Sequence, residues 1–348
     1  MIEKRAVVLL AAYDATSLYL TLKALDHTLS RDEMVVIILN GKRGVRSAFV
    51  EDIARNWVQG NSNRFVVRPL NYGNDPYNSI KEIILEFEPL QGKEFICKID
   101  DDLIPLKKGW LDNLYYTYLE HEKESKVGFV TSLINNNAWG FQELIRIFNK
   151  EEEYKKIMNY SSASGEGVVK AGDISNGVNG TIWQYPYLAK WCHGWTLLDI
   201  QNYLSKTENL LSKEISLDTH YSIGCIFFRK DLWLDVEKIN KIVNFDELAI
   251  HMYCKQNSLK KIAVMNEPMG HLYYFVQRKA NSTIFPLFAG SLSEYWKDDS
   301  FFLYPKYDNE TLLSMYFEEF SMSSVFQNFN VKPSLFKRII RFIFRKTI

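Results

Sequence analysis

Short continuous apolar runs alternate with apolar residues at helical spacing through the first hundred positions. Residues 6–12 form a near-continuous apolar run, as expected for a strand buried on both faces. Leu18, Leu22, Leu25 and Leu29 follow at spacings of three and four, which predicts a helix. Residues 34–39 read as a second buried strand, ended by Asn40-Gly41, and residues 48–58 suit a helix. A third strand is expected at 65–67, a helix at 77–87 with Ile80, Ile83, Ile84 and Phe87 on one face, and a fourth strand at 95–99. This alternation predicts an α/β fold with a mainly parallel sheet flanked by helices. Such sheets gather their binding sites outside the carboxyl ends of the strands. The polar residues there are Tyr13 and Asp14, Asn40 and Gly41, Asn71 to Asp75, and Asp100 to Asp102.

The alternation lapses over residues 135–218, which are rich in Asn, Ser, Gly, Trp and Tyr and include Asn135-Asn136-Asn137. It returns with a strand at 223–228, a helix at 245–254 and a short strand at 261–264. The expected division is a first half at 1–134, a second half of the same domain at 135–290, and a helical extension at 291–348.

Net charge changes the picture only at the end of the chain. The whole sequence of 348 residues is formally neutral, with 47% hydrophobic and 24% charged residues, so it is not disordered as a whole and has no chain-wide field for nucleic acid. From Lys332 onward, however, there are six basic residues and no acid, which leaves a net −6 on the first 331. Interleaved with Leu335, Phe336, Ile339, Ile340, Phe342, Ile343 and Phe344, these bases predict an amphipathic helix suited to an anionic membrane surface. Packing onto the main domain or onto an oligomer partner is the alternative. The four cysteines form no recurring spacing, no eighteen apolar residues run together, and the apolar run at 6–12 is too short for a secretion signal. The expectation is a cytoplasmic protein with free thiols, peripheral at the inner face of the membrane.

Asp100, Asp101 and Asp102 carry the sharpest chemical signal. Three adjacent carboxylates repel one another, and a bound cation explains their placement directly after a buried strand. In extended backbone Asp100 and Asp102 point to the same side, toward one divalent ion or one hydroxyl pair, while Asp101 faces elsewhere. A solvated acidic turn or a helix cap is the bland reading. Oxygen ligands favour Mg²⁺ or Mn²⁺, and no Cys/His cluster suggests zinc. Chemistry that needs this arrangement is displacement at a carbon bearing a diphosphate, whose developing charge the ion neutralises.

The run Lys98-Ile99-Asp100-Asp101-Asp102-Leu103-Ile104-Pro105, followed by Gly109-Trp110-Leu111 at a helix start, resembles the D-x-D region of GT-A glycosyltransferases, especially family 2. Ala11-Ala12-Tyr13-Asp14 is similar to the end of that family's first strand, and Ile37-Ile38-Leu39-Asn40-Gly41 to its nucleotide-contacting second strand, although Leu39 stands where an Asp is common. Residues 222–231 resemble the Gly-containing strand before the acceptor site, and Phe245-Asp246-Glu247-Leu248 the acidic motif that supplies the base. The resemblance implies a GT-A-like fold and a nucleoside-diphosphate sugar as donor. It further implies transfer with inversion to a glycan or lipid-linked glycan acceptor, the latter as in the assembly of bacterial surface polysaccharides. It also implies donor contacts from Tyr13, Asp14, Asn40, Asp100 and Asp101, and an Mn²⁺ or Mg²⁺ ion held by Asp100, Asp102 and His271.

Only one acid is needed as base, and neighbours on a helix diverge by about 100°. Position favours Glu247 and residue type favours Asp246. A plain helix start, with Asn244 as its cap, is the structural alternative. His193 is a weaker candidate ligand than His271, and Arg278 and Lys279 are candidates to close over the diphosphate. The aromatic group Trp183, Tyr185, Tyr187, Trp191 and Trp195 suits sugar faces or ordinary packing. Two other functions fit an α/β sheet with acidic strand ends. Nucleotidyl transfer would want a Gly-rich basic loop, which Tyr13-Asp14-Ala15-Thr16 does not offer, and the other is non-catalytic glycan binding.

Overall fold

The computed structural model describes residues 2–12, 14–41, 45–70, 75–163, 182, 186–219, 221–272 and 285–302. Its centre is a nine-stranded mixed sheet in the order β3-β2-β1-β4-β8-β6-β9-β5, with β7 also paired to β9. The strands are β1 (Arg5–Ala11), β2 (Val35–Leu39), β3 (Arg64–Val67), β4 (Phe95–Asp100), β5 (Leu103–Pro105), β6 (Val127–Ile134), β7 (Lys213–Ile215), β8 (Cys225–Arg229) and β9 (Lys260–His271). The parallel pairings of β1 with β2 and β4, of β2 with β3 and of β6 with β9, together with antiparallel β8 on both β4 and β6, set six strands in one direction. Only β5, β7 and β8 run the other way. The α/β architecture expected from the sequence is therefore present, with strand boundaries close to those expected for β1 to β4.

Crossover helices cover the first half: α1 (Ala15–Thr28), α2 (Val45–Val58), α3 (Pro76–Glu86) and α4 (Trp110–Glu122). The second half adds α5 (Ala138–Ile147), α6 (Glu151–Ala163), α7 (Pro186–Gly194), α8 (Ile200–Thr207), α9 (Lys230–Asp235), α10 (Glu237–Val243), α11 (Asp246–Gln256) and α12 (Phe285–Trp296). Every residue of β1, β2 and β6 is buried, which is why these strands are largely apolar rather than alternating, with Thr131 and Ser132 inside β6. Arg5 is the exception in β1. Its guanidinium, 1% exposed, is neutralised by Glu33 and by Asp112 at 2.7 Å.

Two local features aim the site. The pairing of β6 with β9 shifts register between Ser132 and Leu133, so that Met265, Asn266 and Glu267 bulge out of β9. Buried Glu267 holds the bulge by accepting from Asn113 Nδ2 at 2.5 Å and pairing with Lys107 at 3.3 Å, while Lys107 also donates to the Asn266 carbonyl. Beyond the bulge β9 pairs again, Leu103 against His271, so the strand runs past its sequence-expected end at Val264 and carries His271 to the active edge. At the other place, Gly140 in α5 lets the helix press on β6. A Cβ there would lie 1.9 Å from the Ile134 carbonyl oxygen.

Residues 285–302 pack back on the first half. His27 of α1 stacks on Trp296 with ring centroids 5.0 Å apart and bonds Asp298 at 2.8 Å, Tyr19 donates to the Ser300 carbonyl, and Tyr295 donates to the Leu106 carbonyl at 3.0 Å. The start of the expected C-terminal extension is thus part of the main body. Residues 332–348, which carry the membrane-surface expectation, lie outside the described residues. Among the described residues no helix is long and apolar enough to cross a membrane. All four cysteines are buried and free.

Candidate active site

Because β4 lies between β1 and β8, its carboxyl end opens at the middle of the sheet. The three aspartates there go to three different partners. Asp100 Oδ1 is 2.6 Å from Lys98 Nζ, and the Asp100 backbone N–H donates to the Gly224 carbonyl. Asp101 Oδ2 accepts from the Ala12 backbone N–H at 2.9 Å, and its carbonyl accepts from Thr21 Oγ1. The carboxylate therefore joins the ends of β1 and β4, and the carbonyl ties the end of β4 to the middle of α1. Asp102 Oδ2 faces His271 Nε2 at 3.3 Å, and the Asp102 carbonyl accepts from the Leu272 N–H.

His271 is oriented by residues that the sequence reading left without a role. Its Nδ1 is 2.9 Å from the Asn136 carbonyl, so Nδ1 carries the proton and Nε2 is turned to Asp102. The His271 backbone N–H donates to Asn135 Oδ1, and Asn135 Nδ2 reaches His193 Nδ1 and Thr196 Oγ1. Asn137 caps α5 and donates to the Ser222 carbonyl. Three fully buried amides in sequence, after a strand of eight buried residues, are costly unless bonded. That cost was the available signal. Burial opposes a charge on His271, and the Asp102 carboxylate outweighs it, so its pKa is raised.

His193 differs. It donates from Nε2 to the Leu272 carbonyl at 3.0 Å, while its Nδ1 accepts from Asn135, and burial pushes its pKa down to about 3. Both ring nitrogens are engaged in a neutral structural histidine, so it is not a ligand. Trp191 and Trp195 likewise serve packing: their rings meet at 5.4 Å, Trp195 lies 4.7 Å from Phe148, and Trp191 donates to Glu153. Trp183, Tyr185, Arg278 and Lys279 lie outside the described residues, as does Tyr13.

Lys98 gathers the second acidic group. It projects from the middle of an otherwise apolar strand, is 3% exposed, and donates to the Ile223 carbonyl at 2.9 Å. After burial, which opposes its charge, the main influences are Asp100 and Asp246, with Glu247 also contributing, and its pKa ends up raised. The two acidic motifs, far apart in sequence, therefore both act electrostatically on one buried ammonium. Asp246 and Glu247 open α11 and are half-buried. Asn244 does not cap this helix: it closes α10 in the left-handed region at φ 50°, and Phe245 stands at the N-cap without a side-chain bond. Asp246 Oδ1 instead accepts from the Glu247 N–H at 2.9 Å. Burial, with Glu247 beside it and against the pull of Lys98, pushes the Asp246 carboxyl up to about 6.

The remaining donor-side candidates are structurally committed. Asp14 caps α1 by accepting from the Ser17 N–H at 2.9 Å and from Thr16 Oγ1. Asn40 Oδ1 accepts from Ser79 Oγ at 2.6 Å and links the end of β2 to α3. Both lie at the expected strand ends.

For a cation, the three expected ligands are not arranged as one shell. Among the described residues no group of three His, Cys, Asp or Glu is placed to hold a metal ion. Asp100 Oδ1 lies 2.6 Å from Lys98 Nζ. Asp102 and the Nε2 of His271 remain as a facing pair, with Asn136 fixing the ring from behind. Two such ligands fit a Mg²⁺ or Mn²⁺ ion that takes its other oxygens from substrate phosphates and water.

No family model and no curated protein matches the chain. Similar solved structures include a mannosyltransferase, PcManGT, from Pyrobaculum calidifontis in complex with GDP-Man and Mn²⁺, at 10% identity over 92% of this chain and 75% of that one, with a TM-score of 0.43. GalNAc-T7 with UDP, GalNAc and Mn²⁺ matches at 9% over 90% and 55%, with a TM-score of 0.42. Residues 1–349 of S. aureus TarS in complex with UDP match at 14% over 85% and 69%, with a TM-score of 0.40. Against the longer S. aureus TarS structure the chain spans 43% of its length. With TM-scores below 0.5, these likenesses carry no weight for this chain's chemistry.

Proposed function

We propose that the chain is a GT-A-like glycosyltransferase that moves a sugar from a nucleoside diphosphate to a hydroxyl of a glycan or lipid-linked glycan, with inversion and with a divalent ion. The observation that carries this reading is the meeting, around Lys98, of the acidic end of β4 with a half-buried carboxyl of pKa about 6 from α11. A base of that pKa is mostly ionised at neutral pH yet still accepts a proton readily. Asp246 takes the proton of the acceptor hydroxyl while that oxygen bonds to the anomeric carbon and the bond to the diphosphate breaks. A single base and a single displacement give inversion. Asp102 and His271 would hold the ion, which supplies positive charge to the departing diphosphate. Asp101, through Ala12, fixes the strand ends on which the nucleotide rests. Synthesis of a bacterial surface polysaccharide at the inner membrane face, with residues 332–348 on anionic lipid, is the setting that the basic tail supports.

The test is a panel of nucleoside-diphosphate sugars with Mn²⁺ or Mg²⁺, reading release of nucleoside diphosphate by the wild type, Asp102→Asn and Asp246→Asn. Metal-dependent release with at least one donor, lost in both variants, is expected. Release that both variants retain would sink the assignment, and pyrophosphate release from a nucleoside triphosphate would replace it with nucleotidyl transfer.

A further inference from the structure

Two large apolar side chains stand in solvent directly before the proposed base. Ile242, in the last turn of α10, is 82% exposed, and Phe245, at the N-cap of α11, is 48% exposed. Single exposed apolar residues are ordinary, whereas these two are three positions apart and Asp246 follows at once. The corner that carries them is fixed. Val236 and Asn240 are buried beneath it, Asn244 turns the chain with its N–H bonded to the Asn240 carbonyl at 2.7 Å, and the Phe245 carbonyl accepts from the Ala249 N–H at 3.0 Å.

The same corner is basic. From Val236 to Phe245 the exposed residues are Lys238, Lys241, Ile242, Asn244 and Phe245, and none is acidic. The half-buried Glu237 is held between Lys81 and Lys241, 2.7 Å from each, so with Lys238 three ammonium groups stand against one carboxylate. Asp235, the exposed acid just before, accepts from the Tyr253 hydroxyl at 3.0 Å. Spacings of three and four put Lys238, Lys241 and Ile242 on one face of α10. Apolar side chains beside ammonium groups suit the headgroup region of an anionic bilayer, where the apolar groups enter the acyl boundary and the cations meet phosphates. A symmetric contact with a second copy would instead set these cations against their own equivalents.

We propose that the α10–α11 corner is a membrane-contact surface, which seats Ile242 and Phe245 among the headgroups of an anionic bilayer and so presents Asp246 to acceptors carried in that bilayer. The membrane contact stands on the corner itself, and the link to an acceptor rests on the transferase reading above. Of the acceptor classes named there, the corner selects the lipid-linked one. It acts together with the basic tail, since two weak contacts hold a protein on a bilayer where either alone gives only marginal, reversible binding.

All four native cysteines are buried, so Ile242→Cys can be labelled selectively with an environment-sensitive dye. In the full chain, that dye should shift to the blue with phosphatidylglycerol vesicles and be quenched by doxyl-labelled lipid. A dye at Leu211→Cys, on the exposed loop after α8, should do neither. In vesicle sedimentation, Ile242→Ser/Phe245→Ser should lower affinity at least about tenfold. Lys238→Gln/Lys241→Gln should lower it about fivefold to thirtyfold at low salt, on anionic vesicles only. An unshifted dye at Ile242→Cys, an equal response at Leu211→Cys, or wild-type affinity in the double serine variant would overturn the inference. So would a dimer in lipid-free solution that Ile242→Ser/Phe245→Ser dissolves, which would give the corner to a second copy. Binding is read without donor, so its loss leaves the transferase reading standing. Vesicle binding through the corner by a protein that releases nucleoside diphosphate from no donor would keep the membrane contact and remove its link to an acceptor.

Discussion

Replacing Asp246 by Asn removes a proton acceptor while changing one atom, and the structure sets the size of the response. The carboxyl lies at about 6 against an ordinary 3.8, so its affinity for a proton is raised about a hundredfold. For a group that must be ionised to work, kcat/KM should rise with pH through an acid limb near 6: about one-tenth of its maximum at pH 5 and about nine-tenths at pH 7. Below the limb the rate should fall about tenfold per pH unit. In Asp246→Asn the limb should disappear and kcat should drop by about a hundredfold to ten-thousandfold, with donor affinity little changed because the proton moves only in the transition state. The same shift has a thermodynamic signature of known sign. Between about pH 4 and 6 the native state holds a proton that the unfolded chain has released, so this group makes stability fall as pH rises across that window. Asp246→Asn should therefore flatten the urea-unfolding profile there and be more stable than wild type at pH 7. The assay is nucleoside-diphosphate release from pH 5 to 8 at saturating Mn²⁺, with Glu247→Gln alongside. An acid limb near pH 4, or a limb preserved in Asp246→Asn and lost in Glu247→Gln, would refute Asp246 as the base.

Three further outcomes are expected. Asn136 fixes His271 through its backbone, so His271→Ala should raise the Mn²⁺ concentration needed for half-maximal activity by about tenfold to a hundredfold, read by metal titration, with the fold preserved. Gly140→Ala forces a Cβ to within 1.9 Å of the Ile134 carbonyl and should cost at least about 1–3 kcal/mol, read as a lower urea midpoint at unchanged slope. Deleting the chain after Val331 should release the protein from anionic vesicles but not lower transfer to a soluble acceptor. Each basic residue near such a surface contributes about 1 kcal/mol, so binding by the full chain should also weaken with salt.

The first half of the fold was legible because its strands are buried on both faces. Residues 95–99 have no other reading as an apolar run of that length, and β1 and β2 are similar. The second half was less so. β6 is also buried throughout, but nothing local shows that β8 will enter antiparallel between it and β4, since its pairings join residues 97 apart (Val130 with Phe227) and more than 120 apart (Ile99 with Cys225). The end of β9 was hidden by the bulge at Met265 to Glu267, which breaks the alternation on which a strand reading depends. In the site, the acidic end of β4 and the start of α11 were visible as charges after apolar runs. Lys98 was visible too, as a cation inside a buried strand, but its partners come from the chain fold. The asparagine run looked like a loop because amides are ordinary in loops; only burial shows that Asn135 and Asn136 hold His271.

The strand order has a consequence for biosynthesis. β4 leaves the ribosome with β1 on one side and nothing on the other, because its second neighbour, β8, begins about 125 residues later. At about 5–20 residues per second that is a wait of roughly 6–25 s. During it, the edge of Phe95–Asp100 exposes unpaired backbone and apolar side chains. Lys98, which ends up buried against Ile223, is then a charged residue on an open edge, and such charges discourage strand-to-strand aggregation. The nascent first half is therefore shielded by the same ammonium that later disappears beneath the acidic cluster.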